Sequence, residues 1–150
     1  MMCHQIYIEI DLDSLTYSNQ IIGEINFVID TYDYFPGVGW SDFVAVLLKW
    51  WIDSCRAILH APLKSVHTFP FMDGPLSISA KKISLSELEL SFMKDGQMDT
   101  EIGIVSIEEL KVALIKAIRQ FINAVDRLGW ENEEVDVLRH AIKSLEVYER

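Results

Sequence analysis

The stretch from Phe43 to Leu59 can offer almost no surface to water, and the rest of the chain must accommodate it. Its apolar residues are Phe43, Val44, Val46, Leu47, Leu48, Trp50, Trp51, Ile52, Cys55, Ile58 and Leu59. The polar residues Asp42, Lys49, Asp53, Arg56 and His60 follow at spacings of 7, 4, 3 and 4, which is one narrow stripe on a helix. The pattern predicts a helix over Asp42–His60, with Ser41 as N-cap, Asp42 complementing the positive helix end, and Pro62 beyond its C-terminus. Its uncharged run, Phe43 to Leu48, is only six residues. A membrane span needs roughly 20 apolar residues. The helix is therefore expected inside a core, covered by a sheet and by other helices.

Strands able to cover it are legible on both sides. Ile6, Ile8, Ile10 and Leu12 alternate with Tyr7, Glu9 and Asp11, a period of two. Ile25, Phe27 and Ile29 alternate in the same way with Glu24, Asn26 and Asp30. Asp13 to Gln20, rich in Ser, Asn and Asp, reads as the connection between them. After the helix, strands are expected at Val66–Phe71, Leu76–Ala80, Ile83–Phe92 and Met98–Ile104. Met72–Pro75 and Asp95-Gly96 supply turns, and a phase switch near Ser86-Glu87 reads as a bulge.

Two further helices close the chain. Leu110, Leu114, Ala117, Ile118, Phe121, Ile122, Val125 and Leu128 recur at helical spacing over Ile107–Leu128, and Gly129 stops them. Asn132 caps a third helix from Glu133 to about Tyr148. No linker or repeat divides the 150 residues, so residues 1–150 read as one domain. The expected class is α+β, a mainly antiparallel sheet of five to six strands with three helices, in the order β-β-α-β-β-β-β-α-α.

Charge is distributed unevenly. Residues 1–48 hold seven acids (Glu9, Asp11, Asp13, Glu24, Asp30, Asp33 and Asp42) and no Lys or Arg, so this third contributes −7 of the net −10. An excess of acid argues against a nucleic-acid binder, which needs a basic footprint. The N-terminus lacks the basic region of a signal peptide. Cys3 and Cys55 have no ligand spacing, and free thiols in a reducing cytoplasm are expected.

Catalytic patterns are weak throughout. Asp11 and Asp13, two apart on a strand, face the same way and could hold Mg²⁺. A phosphoryl-transfer site would also want a third acid, a phosphate-binding base and a Gly-rich loop. Gly37-x-Gly39 lacks the further residues of a phosphate loop, and none of His4, His60, His67 and His140 falls in a recognised metal array. Neither a catalytic residue nor a metal or cofactor is expected. If the two alternating strands share a sheet, their acids share its outer face, where adjacent like charges cost up to about one kcal/mol each. Such a face is either merely solvated or meant for a cation. The residues expected to bind a partner are Glu9, Asp11, Asp13, Glu24, Asp30 and Asp33. Trp40 is either an exposed anchor beside them or a staple over the helix start.

The segment Phe35-Pro36-Gly37-Val38-Gly39-Trp40-Ser41-Asp42-Phe43, followed by an aliphatic helix carrying Trp50-Trp51, resembles a pattern in small bacterial proteins. Among these are immunity proteins of contact-dependent and polymorphic toxin systems. The resemblance spans residues 34–51 and carries over no functional residue. It implies a cytoplasmic bacterial protein that blocks a cognate toxin domain by binding it. The competing readings are a small metal-dependent hydrolase using the acidic strands and a structural or adaptor subunit. Carboxylates converging on one point would favour the hydrolase; carboxylates spread over an open face would favour the inhibitor.

Overall fold

The structure, a computed structural model, describes residues 3–72 and 74–147. In chain order the elements are β1 (Ile6–Ile10), β2 (Thr16–Tyr17), β3 (Ile21–Ile29), β4 (Asp33–Phe35), β5 (Ser41–Phe43), α1 (Val44–His60), β6 (Val66–Pro70), β7 (Leu76–Lys82), β8 (Glu87–Lys94), β9 (Gln97–Ser106), α2 (Ile107–Leu128) and α3 (Glu133–Glu146). With β2, β4 and β5 set aside, each only two or three residues long, this is the α+β order expected from periodicity. β2 falls in the Asp13–Gln20 connection and β5 at the expected helix start, and none of the three short strands is long enough to show a period. Tyr148, the expected end of α3, and Asp73 in the Met72–Pro75 turn lie outside the described residues.

The strands form two antiparallel sheets rather than one. The first is built on β3, whose second half pairs with β1 and β4 and whose first half pairs with β2 and β5. Having neighbours on both sides, β3 is buried at Asn26 and Val28 as well as at Ile25, Phe27 and Ile29. The second sheet runs β6-β7-β8-β9. The Ser86-Glu87 phase switch is the turn between β7 and β8, not a bulge. The irregularities lie further on, where Asp99 and Ile102 of β9 are extra residues against β8.

His4 joins the two sheets. Its N–H donates to the Ile104 carbonyl at 2.7 Å, and it forms a parallel bridge with Val105. Its ring lies so close over Gly103 (φ +124°) that a Cβ there would stand 2.6 Å from it. Its Nδ1 pairs with Asp30 Oδ2 at 2.5 Å. Asp30 also accepts from Gln5 N–H at 2.8 Å, and with Thr31 it holds the left-handed conformation that turns β3 into β4. Asp30 thus serves a turn and a sheet junction, contrary to its expected place on an open acidic face.

Helix α1 fills the space between the sheets. Leu47, Leu48, Trp51, Ile52, Cys55 and Ile58 are all fully buried, while Lys49 and Asp53 pair at 2.8 Å on the outer side. It packs on β3 and β6, with α2 and α3 covering its remaining faces. The expected capping does not occur. Ser41 and Asp42 belong to β5, the helix begins at Val44, and Phe43 at the N-cap makes no side-chain capping bond. Asp42 is buried instead, accepting from Trp40 Nε1 (2.9 Å), Phe43 N–H (2.7 Å) and Met72 N–H (3.2 Å). Helix α3 is capped as expected by Asn132, Gly129 ends α2 in the left-handed conformation, and Ser106, not singled out in the sequence, caps α2. Cys3 and Cys55 are free, and burial pushes the Cys55 thiol up to about 12. Among the described residues no helix is long and apolar enough to cross a membrane.

One buried group, the Lys82 ammonium, finishes the C-terminal end of α1. Lys82 Nζ donates to the carbonyls of Ile58 (2.8 Å), which also accepts from Ala61 N–H at 3.2 Å, and of Ala61 (2.9 Å), just past the helix end. Replacing it by methionine keeps the volume, strands the Ala61 carbonyl and leaves Ile58 O with its backbone bond alone. Lys82→Met should cost about 1–3 kcal/mol in urea unfolding, the range for buried hydrogen bonds left unmade. A second expectation concerns acid. The hydrogen bond from His4, and then that from Gln5 N–H, holds the Asp30 carboxyl below its ordinary range. A depressed carboxylate stabilises the fold above its unfolded pKa, and the contribution is lost as pH falls through the folded value. The stability difference between wild type and Asp30→Asn should therefore shrink steadily from about pH 5 downward, as followed by chemical unfolding at each pH.

Candidate partner-binding site

Where β1 leaves the second sheet behind, α2 packs along it instead. Between them lies an open groove of about 770 Å³. Four of the seven expected residues line it: Glu9 from β1, Asp11 and Asp13 from the turn that follows, and Glu24 from β3. Local geometry explains the convergence. Glu9 stands opposite Asn26 in the β1–β3 register. Asp11 N–H then bonds the Glu24 carbonyl at 3.0 Å, which brings the end of β1 against Glu24. A short 3-10 turn over Leu12–Ser14, capped by Asp11 Oδ1 on Asp13 N–H (3.1 Å), swings Asp13 to the same side. Ser14 Oγ ties the turn down by accepting from Glu24 N–H at 2.8 Å.

Compensation inside the groove is slight. Glu9 accepts one long bond from the Tyr34 hydroxyl at 3.3 Å, and its negative charge pushes the Tyr34 phenol up. Among the described residues none of the four carboxylates makes an ion pair, although Arg127 of α2 reaches the groove wall. Some acids elsewhere are matched, while others, among them Asp33, Glu89, Asp95, Glu101 and Glu133, have no ion pair among the described residues either. Asp126 binds the Arg139 guanidinium, Glu146 lies 3.0 Å from Arg119, and Glu108 lies 3.1 Å from the buried Lys111.

The remaining expected residues do not join the groove. Asp30 is held at the sheet junction, and Asp33 is exposed on β4 away from the groove lining. Trp40 is half-buried rather than an exposed anchor. Its ring meets Phe71 at 6.2 Å, and its indole N–H is spent on Asp42. The exposed apolar residue of that loop is Val38, at 84 %, flanked by Gly37 and Gly39. Sequence reasoning passed over Val38, as it did Asn26, Gln120 and Arg127, which also line the groove. The only local signal for Val38 was a single β-branched residue between glycines.

The carboxylates lie spread along an open wall. Among the described residues no three His, Cys, Asp or Glu side chains come together as a metal cluster. One pairing has the look of a nucleophile and its base, Ser65 Oγ with His67 Nε2 at 2.9 Å. The Ser65 hydroxyl has one proton and donates it to the Pro62 carbonyl at 2.7 Å. It therefore accepts from His67, the reverse of the activation a serine nucleophile needs. Burial, followed by the Lys82 charge, pushes the His67 imidazole down. No known protein family, curated protein or solved structure matches the chain.

Proposed function

We propose that the protein is an inhibitory binding protein of the immunity type, which neutralises a cognate toxin domain by direct contact through the carboxylate groove. The observation that carries the reading is the set Glu9, Asp11, Asp13 and Glu24, four carboxylates on one open groove with no ion-pair partner among the described residues. Like charges held together raise the energy of the free protein, and an incoming cation relieves them. A toxin that grips nucleic acid is cationic where it meets phosphate. The groove would compete for that surface and draw it in over a Debye length of about 8 Å at physiological salt. Glu9 and Glu24 are presented on β1 and β3, and Asp11 and Asp13 on the short hydrogen-bonded turn that follows β1. The resemblance of the Phe35–Trp51 segment to immunity proteins points the same way.

Among the described residues the side chains of Asp13 and Glu24 make no hydrogen bond, so their reversal tests charge without removing a structural hydrogen bond. The assay is growth on co-expression with the variable C-terminal domain of a secreted protein encoded next to this chain. The wild-type chain should restore growth, and Asp13→Lys with Glu24→Lys should abolish protection while still unfolding cooperatively, the exposed Asp13 change costing within about 0.5 kcal/mol and the half-buried Glu24 change more. Raising salt should slow association with that domain more than it speeds dissociation. Full protection by the folded double variant would reject the groove as the binding surface.

A further inference from the structure

The groove holds one group that a bare cation would not use. Asn26 is 5 % exposed and lines the groove floor. Its Oδ1 accepts from Gly37 N–H at 3.0 Å, which fixes the orientation of the amide. Its Nδ2 group is thereby left as a donor with no partner among the described residues. A donor beside four carboxylates calls for a ligand that brings an acceptor together with its positive charge. A peptide chain does so, with a backbone carbonyl between cationic side chains.

The wall beyond Asn26 extends the match. The Gly37–Gly39 loop, with Val38 at its tip, borders the carboxylate groove on one side. On its other side is a second recess of about 380 Å³, lined by Trp40, Leu76 and Phe92 and rimmed by Lys94 and Asp99. The two concavities thus share one ridge, acidic on one flank and mixed on the other, where Trp40, Leu76 and Phe92 supply the apolar part. A segment crossing the ridge would set basic side chains on the first flank and an apolar one on the second, the pairing of charged rim and apolar anchor that protein interfaces use.

Resting on the reading of the groove as a binding surface, we infer that its occupant is an extended basic segment of the partner protein. The segment's cationic side chains lie among Glu9, Asp11, Asp13 and Glu24, a backbone carbonyl accepts from Asn26 Nδ2, and an apolar side chain crosses Val38 into the recess under Trp40 and Phe92. Charge complementarity selects a basic segment over a second copy of this acidic chain.

Three probes separate these contributions in calorimetry at low salt: spermine, acetyl-tetra-arginine amide, and the same peptide extended by two leucines. Spermine and tetra-arginine carry equal charge, but only the peptide has carbonyls. Tetra-arginine should bind about threefold to tenfold tighter than spermine, the worth of one hydrogen bond, and the leucine-extended peptide tighter again. Asn26→Asp keeps the acceptor for Gly37 N–H and removes the donor, so it should erase the preference for tetra-arginine over spermine. Val38→Glu, at an exposed tip, should erase the gain from leucine alone. Equal affinity for all three probes, or a ranking unchanged in both variants, would overturn the inference while leaving the acidic groove as a cation-binding surface. Binding of none of them would overturn the groove reading itself.

Discussion

Trp51 makes two demands that one position in this fold meets together. Its ring must be buried, and its indole N–H must still find an acceptor. Its ring packs edge-on against Phe27 of β3 at 4.6 Å and against Phe71, just after β6, at 5.6 Å, while Nε1 donates to the Pro70 carbonyl at 2.9 Å. One side chain thereby fixes α1 to a strand of each sheet. Phe69 joins through Phe27 at 5.8 Å. Tryptophan truncations at such sites cost roughly 3–5 kcal/mol, a large share of the stability of a domain this size. With α1 pinned by these contacts, the sheets must close around it, and α2 and α3 are left to cover what the strands do not.

That closure also settles the sheet edges, which exposed strands would otherwise offer to any passing chain. In β6 the bonds of Ser65 and Phe71 to β7 direct the polar groups of Val66, Thr68 and Pro70 away from the sheet. Ser54 Oγ takes the Thr68 carbonyl at 2.6 Å, Trp51 takes that of Pro70, and Pro70 has no N–H to offer. At the opposite edge β9 carries two extra residues that twist it, together with the charges of Asp99 and Glu101. The edge of β1 is treated differently. It is met by a helix rather than a strand, and the imperfect fit of α2 along it leaves the groove.

The carboxylates divide along the same line. Asp30, Asp42, Asp53 and Asp126 each have donors or a cation within reach and belong to the architecture. Those in the groove have one weak donor or a local backbone bond among them. Self-repulsion in a groove is a cost that folding alone gives no reason to keep. The functional proposal rests on the gathering of Glu9, Asp11, Asp13 and Glu24 on one groove rather than on the overall charge of the chain.

Much of this could be read directly from local sequence. The periods of β1, β3 and α2, the burial of Leu47, Leu48, Trp51 and Ile52, the stop at Gly129 and the acid-rich first third all follow from patterns spanning a few residues. The side-chain period of each element is fixed by backbone geometry, so apolar spacing reports it wherever the run is long enough. Ser41-Asp42 misled because a good capping pair is also compatible with an edge strand, and the choice was made by β3 offering Gly23 as a partner and by donors from Trp40 and Met72 gathering on the Asp42 carboxylate. Asp30 misled because alternation assigns a face but not a turn. Only the tertiary structure could gather Glu9, Asp13 and Glu24 with Asn26 and Arg127, and leave the first three without an ion pair among the described residues. Those relations depend on contacts between distant segments, set by how the sheets close over α1, and no local period encodes them.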